Sequence, residues 1–167
     1  MSIESERVAE TVEYVALRRL QNRYGDIVTR RAWPELHEIM RPTCTLALDL
    51  GDAAGQLDGP GAIGDFIGGQ LEQFSFFEFV ILNTVVEINR AVGTAGARMY
   101  IQELRQNVTD GRRTNAFGVY HDHVERDADG RWWFARRRYG SFSRTQALGP
   151  ENEQVVFDLP VFALDEL

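Results

Sequence analysis

Lysine is absent from this chain, and all 18 basic residues are arginine. Schiff-base chemistry and covalent attachment of pyridoxal phosphate both need a lysine amine, so neither is open to it. Cysteine occurs once, as Cys44, which leaves no internal disulfide and no multi-cysteine zinc site and suits a reducing compartment. A basic excess is also missing. The net charge is -7, and nucleic-acid binding draws its affinity from many Lys and Arg contacts to phosphate, so no nucleic-acid partner is expected. The short arginine runs, Arg30 with Arg31, Arg112 with Arg113 and Arg136 to Arg138, are separated by acidic stretches and read as solvated or paired faces. No apolar run approaches the ~20 residues of a membrane span, and MSIESERVAE lacks the basic and apolar regions of a signal peptide. The expectation is a cytoplasmic protein with no membrane partner.

What remains is ordinary globular material. A chain of 167 residues, 44% apolar and 26% charged, is the size of one domain with a single core. Val8, Val12, Val15, Leu20, Tyr24, Ile27 and Val28 recur at helical spacing and predict a long amphipathic helix with one buried stripe, Ser5 capping its start. It should end near Arg31, because Trp33 precedes Pro34. Pro34 then suits the first position of a short second helix, Glu35 to Met40. Thr43 to Leu50, TCTLALDL, alternates as a strand does, and GDAAGQLDGPG after it reads as turn. A third helix is expected over Gly61 to Gln73.

From Phe74 onward the signals are those of strands: FSFFEF running into VILNTVVEI, then Met99 to Val108, then a turn at Asp110-Gly111. Thr114 to Ser143 reads as two long antiparallel strands joined by a turn at Asp127 to Gly130. Helices followed by a run of antiparallel strands predict an α+β domain with helices on one face of a curved sheet. The domain is assigned to residues 1–145. Residues 146–167 form a tail whose VVFDLPVFAL is costly to leave in water; after a loop at 148–154 it should dock on its own sheet or on a second subunit.

Several groups could carry chemistry. His121 and His123 share one strand face and could bind a metal only with a third ligand, which is not evident, so they read as an outer or interface pair and no metal is assigned. Tyr120 and Asp122 share the opposite face. Asp122 could be a base of raised pKa, or it could pair with Arg137 or another Arg of the adjacent strand. Glu103 and Arg105 alternate on one face and read as an ordinary ion pair. His37 reads as a surface residue.

Tyr24 late in the first helix, Trp33 at the helix corner, GPGAIGDFI leading into the third helix, and a final hairpin of the form V-Y-x-D, D-G-x-W, R-x-Y together resemble the SnoaL-like branch of the nuclear transport factor 2-like superfamily. The resemblance covers roughly Val8 to Ser143. It implies a cone: a strongly curved antiparallel sheet packed against three N-terminal helices, one of them long, around an apolar pocket. It also implies a small aromatic, polyketide or steroid-like ligand, no cofactor, and a homodimer formed through the outer face of the sheet. In the dehydratases and dehydrochlorinases of that superfamily an Asp on the first helix holds a catalytic His; the matching positions here are Thr29 and Phe79, which cannot exchange a proton, unless Asp26 or Glu78 takes over. The Arg of the last strand is matched by Arg137. The site implied has Tyr120 and Asp122 as catalytic candidates and Tyr24, Val28, Trp33, Phe66, Phe79, Met99 and Arg137 against the ligand. Two functions stay open: a cofactor-independent isomerase, cyclase or dehydratase lacking the Asp-His dyad, or a non-catalytic ligand-binding or partner-subunit module.

Overall fold

The protein, seen in a computed structural model, is described at residues 2–146 and 153–167. Helix α1 spans Ile3–Arg30; Ser2 caps it by accepting from the Ser5 amide, so it starts before the expected cap at Ser5. It stops where Arg31 turns into the left-handed region at φ 59°. Its second half carries the buried stripe Leu17, Leu20, Tyr24, Ile27 and Val28. The stripe expected from Val8 does not hold in the first half: Val8, Val12 and Val15 are exposed, because the helical period places them on the side opposite Leu17, Leu20, Tyr24 and Ile27, while Glu13 on the inner side reaches Arg126 and Trp132.

A short 3-10 helix, Trp33–Glu38, replaces the second helix expected from Glu35 to Met40, and the chain enters β1 (Met40–Asp49) at Met40 itself. The segment read as turn contains a strand, β2 (Ala54–Asp58), which pairs antiparallel with β1. Helix α2 (Gly59–Leu71) follows with Pro60 in its first turn. Then come β3 (Phe74–Asn89), β4 (Thr94–Asn107), β5 (Arg113–Arg126) and β6 (Trp132–Thr145), a meander of long hairpins.

The sheet order is β2-β1-β6-β5-β4-β3. The expected α+β cone is what the chain forms, with one departure from an antiparallel run: β1 lies parallel to β6, Leu46 opposite Arg137. Register shifts at Ile81/Asn83 in β3 and at Phe117/Gly118 in β5 bend the hairpins, since an extra residue on one strand raises local twist. The curved sheet folds over the buried half of α1. Tyr24, Ile27, Met99, Ile101 and Phe134 have no exposed surface at the junction, and each such side chain contributes about 1.5–3 kcal/mol through burial.

Beyond Asp49, the free edge of β6 is taken by β7 (Gln154–Val156) from the tail. Most of the loop expected at 148–154 falls outside the described residues. The tail then crosses the outer face of β4, β5 and β6 to a last 3-10 turn at Leu164–Glu166. Glycines make room for it: a Cβ on Gly96 would lie 2.0 Å from the Leu164 carbonyl oxygen, and one on Gly140 2.5 Å from Pro160 Cγ.

His121 anchors this tail. Its Nε2 accepts from the Phe162 amide and from Arg98 Nε, each at 3.3 Å, and Arg98 Nη2 donates to the Phe162 carbonyl at 3.0 Å. Burial, then the charges of Arg98 and Arg138, lower the imidazole to about 4. The unfolded chain, with an ordinary histidine near 6.5, therefore binds a proton between pH 6.5 and 4 that the folded chain refuses, so stability falls as pH falls through that window. Between pH 7 and pH 5 this amounts to roughly 2 kcal/mol. His121→Gln, which keeps an acceptor but does not titrate, should flatten the difference in urea midpoint between those two pH values by that amount; an unchanged slope would show that His121 is not responsible.

Candidate functional site

The inner face of the sheet is built in rows. Opposite Ala97 on β4 lie Asp122 and Arg137; the next row holds Met99, Tyr120 and Tyr139; Ile101, Gly118 and Ser141 follow; Glu103 and Ala116 come last. Strand alternation sends these residues to one side and His121 and His123 to the other.

The innermost row is closed. Arg137 Nε donates to Asp122 Oδ1 at 2.7 Å and Nη2 to Oδ2 at 3.1 Å, with both side chains fully buried. The guanidinium carbon lies 3.9 Å from the ring centre of Tyr24, 4.1 Å from that of Phe134 and 4.3 Å from that of Tyr120. Burial pushes the Asp122 carboxyl up, and the Arg137 charge and hydrogen bonds pull it back only in part. Burial also works against the charge on Arg137, but Asp122 and Tyr24 outweigh it and the guanidinium is raised above its ordinary value. Two parallel N–H donations to the two carboxyl oxygens are the geometry of an ionised pair. Asp122 is thus occupied by its own chain.

The second row is phenolic. The Tyr24 and Tyr120 hydroxyls are 3.0 Å apart and fully buried. Burial raises both phenols, so both keep their protons. One of the two hydrogens closes the bond between them, and the other is left to donate to a third group. The Tyr139 ring, 4.9 Å from that of Tyr120, lies over Gly118, where a Cβ would come within 2.2 Å of it. Burial and then the Glu103 charge raise the Tyr139 phenol, and its hydrogen bond with Ser141 lowers it.

A cavity of about 190 Å³, with Tyr24 and Tyr120 among its lining, runs between the sheet and α2. Of the residues expected in the site, the ligand contacts Tyr24, Val28, Phe66 and Phe79 and the catalytic candidate Tyr120 line it. Trp33, Met99, Asp122 and Arg137 do not. Trp33 packs on α2, where a Cβ on Gly68 would meet its Nε1 at 2.9 Å, and Met99 is buried in the sheet wall beside Tyr120.

Three charged residues line the same cavity, Glu103, Arg105 and Arg144, the last donating to the Leu50 carbonyl and to Asp52. Glu103 and Arg105 form the closest pair. Their closest approach is 3.5 Å, and Glu103 accepts no hydrogen bond from any described residue. Burial raises the Glu103 carboxyl and Arg105 lowers it. Arg105 Nη2 donates to the Asn115 carbonyl at 2.7 Å, and its guanidinium stands 5.0 Å from the Phe74 ring centre. The pattern Glu-x-Arg on a strand is the ordinary signature of a surface ion pair; the one signal for more is that it falls on the parity of Tyr120.

Thr29 and Phe79 are brought together, the Phe79 amide donating to Thr29 Oγ1 at 3.1 Å, and neither side chain can move a proton. Asp26 is turned outward to Arg30 at 2.8 Å, and Glu78 is exposed. His37 is exposed as well. No group of metal-ligating side chains assembles among the described residues, and no described helix is long and apolar enough to cross a membrane.

The family model of the SnoaL-like domain matches residues 9–138. Among curated proteins none matches the sequence at a significant level. Several solved structures share the fold at low identity. The hexachlorocyclohexane dehydrochlorinase LinA-type3 of Novosphingobium barchaimii LL02 superposes with a TM-score of 0.70 at 16% identity, over 94% of this chain and 98% of that one. A nuclear transport factor 2-like protein with a cystatin-like fold from Novosphingobium aromaticivorans gives 0.67 at 20% identity, over 82% and 86%. ActVI-ORFA of Streptomyces coelicolor gives 0.62 at 11%, over 77% and 96%. At such identities these likenesses show the fold alone.

Proposed function

The chain belongs to the SnoaL-like domain family, and from that premise we propose that its cone binds one small, largely apolar ring compound and acts on it, without a cofactor, as an isomerase, cyclase or dehydratase. The observation that carries this reading is the hydrogen-bonded Tyr24–Tyr120 hydroxyl pair on residues that line a mainly apolar cavity, a pair with one hydrogen more than its own bond uses. It fits a carbonyl or phenol oxygen on the ligand. A cavity of about 150 Å³ holds a benzene molecule, so a volume near 190 Å³ favours one ring with substituents, or two fused rings, over a four-ring steroid. The second reading, a binding module without turnover, draws on Thr29 and Phe79 standing where the superfamily's dyad would be.

A thermal-shift screen of one- and two-ring aromatic carbonyl compounds and phenols tests the cavity. A ligand at a hundred times its Kd adds about 2.7 kcal/mol, which for a chain of this size raises Tm by roughly 5–10 °C. Tyr120→Phe removes one hydroxyl and should weaken the best ligand by about 1–1.5 kcal/mol, roughly tenfold. No shift across the set would end both readings.

The half-buried Tyr100, Phe117 and Phe142, with ring centres 6.3–6.4 Å apart on the outer face of the sheet, would form the core of a homodimer contact in the cytoplasm. Sedimentation as a monomer at micromolar concentration would refute the dimer.

A further inference from the structure

We propose that the outer face of the sheet carries a binding site for a small organic phosphate, built on Arg136 and Arg138 and separate from the cavity under the helices. The inference does not depend on the ligand-binding reading above. It starts from an imbalance of charge. The chain holds 25 acidic residues against 18 arginines, and Arg30, Arg126, Arg137 and Arg144 each close on a carboxylate. Arg98, Arg136 and Arg138 have no carboxylate partner among the described residues.

The register of the sheet brings these three together. One row across the outer face reads Gln56, Ala47, Arg138, His121 and Arg98, and the next sets Thr45 beside Arg136 and His123. Arg136 and Arg138 are two residues apart on β6, so they leave the same face about 7 Å from each other. Arg98 donates to His121 and to the Phe162 carbonyl, both uncharged acceptors. The Arg138 guanidinium stands 5.0 Å from the Phe162 ring centre, which steadies it without neutralising it. Arg136 makes no hydrogen bond or ion pair with any described residue. Burial, and after it the charges of Arg98 and Arg138, keep His121 unprotonated, so the positive potential of this face is felt inside it as well.

The uncompensated charge coincides with a recess. About 320 Å³ lies between β1, β6 and the tail, with Arg136, Arg138, Thr45 and Gln56 in its lining. Ala47 is too short to fill the space between them, and Pro160 and Phe162 form the tail side. One acid shares the lining, Asp49 beside Gly140, and its Oδ1 is taken by the Gly51 amide at 2.9 Å. Gln56 donates one amide hydrogen to Asp58 at 2.9 Å and keeps a second, and the Thr45 hydroxyl has no partner among the described residues.

These donors select the class of anion. Two guanidinium forks and two neutral donors stand on three strands and approach the recess from different directions. A planar carboxylate presents its lone pairs in one plane and is filled by one fork. A phosphate monoester offers three terminal oxygens in three directions and, as a dianion, balances both arginines. Phe162 and Pro160 supply an apolar wall for the organic part.

The test uses phenyl phosphate and the full-length protein at constant ionic strength, following the imidazole C–H signals by NMR. The chain has three histidines. Phenyl phosphate should shift the signals of His121 and His123, which pair with Arg138 and Arg136, and leave exposed His37 in place. Arg136→Gln and Arg138→Gln should each weaken the titration by about 10–100-fold. Arg19→Gln, exposed on α1, should leave it unchanged. Benzoate should bind at least roughly tenfold more weakly, because it fills one fork and leaves the second arginine unbalanced. An equal response to phenyl phosphate, benzoate and chloride would mean screening of a charged face and overturns the site. So does a titration unaltered in both arginine variants. If phenyl phosphate shifts neither histidine while the two variants change the sedimentation of the protein, the arginines serve a contact between copies and the proposal falls.

Discussion

Arg137→Met should lower the stability of the fold by about 3–5 kcal/mol, the largest single-residue effect expected in this protein. The cause is less the lost attraction than what it leaves behind: Asp122, with no exposed surface, would keep a charge that has no partner. Three aromatic rings would also lose the cation packed among them. The double substitution Asp122→Leu with Arg137→Met should recover most of the loss, because two apolar side chains of similar volume remove both desolvation costs. Urea midpoints of the two singles and the double measure the coupling directly. A single variant within 1 kcal/mol of the wild type would mean that Asp122 takes up a proton at little cost, and the pair would then be no keystone.

The second large effect concerns the cavity wall. Phe79→Ala should cost about 3 kcal/mol, since truncating a buried aromatic forfeits its burial and leaves a void. The ring stands edge-on to Tyr24 with centres 5.5 Å apart and rests on Gly25, where a Cβ would lie 3.2 Å from it. Its removal opens the cavity toward α1 at a place with no side chain to fill the gap. The variant should therefore accept anthrone, a three-ring ketone, which the wild type refuses. Thermal shift with both proteins decides the matter; equal shifts in the two would show that Phe79 does not limit ligand size.

How much of this was legible in the residues differs by kind of information. Parity was: the alternation in VYHDH separates Tyr120 and Asp122 from His121 and His123, and the structure keeps that division. Depth was not. Residues two apart on one strand share a face, yet Asp122 lies behind the tyrosine rings and Tyr120 in front of them, because the layer is set by how far α1 and α2 reach along the cone. Glu103 was visible as one half of an ion pair, but whether such a pair closes depends on Asn115 and Phe74 drawing Arg105 away. Strand β2 was hidden in a glycine-rich stretch, since a short edge strand needs only a partner, and β1 supplies it through backbone hydrogen bonds that carry little side-chain signal. Val8, Val12 and Val15 recur at helical spacing, but that spacing puts them on the side of α1 away from Leu17, Leu20 and Tyr24, so one stripe could not hold both sets.

The parallel junction of β1 and β6 also bears on how the chain reaches this state. Leu46 and Arg137 are roughly ninety residues apart in sequence, whereas β3 to β6 join through short turns. Loop closure over such a distance costs entropy that only later contacts repay. The meander can assemble by zipping local hairpins. Docking of β1 must wait until β6 exists as a template, and it brings α1 and α2 with it. The cavity lies across that seam, with Leu46 and Leu48 on one side and Tyr139 and Ser141 on the other. It is therefore complete only once β1 has docked, among the last features to form on folding.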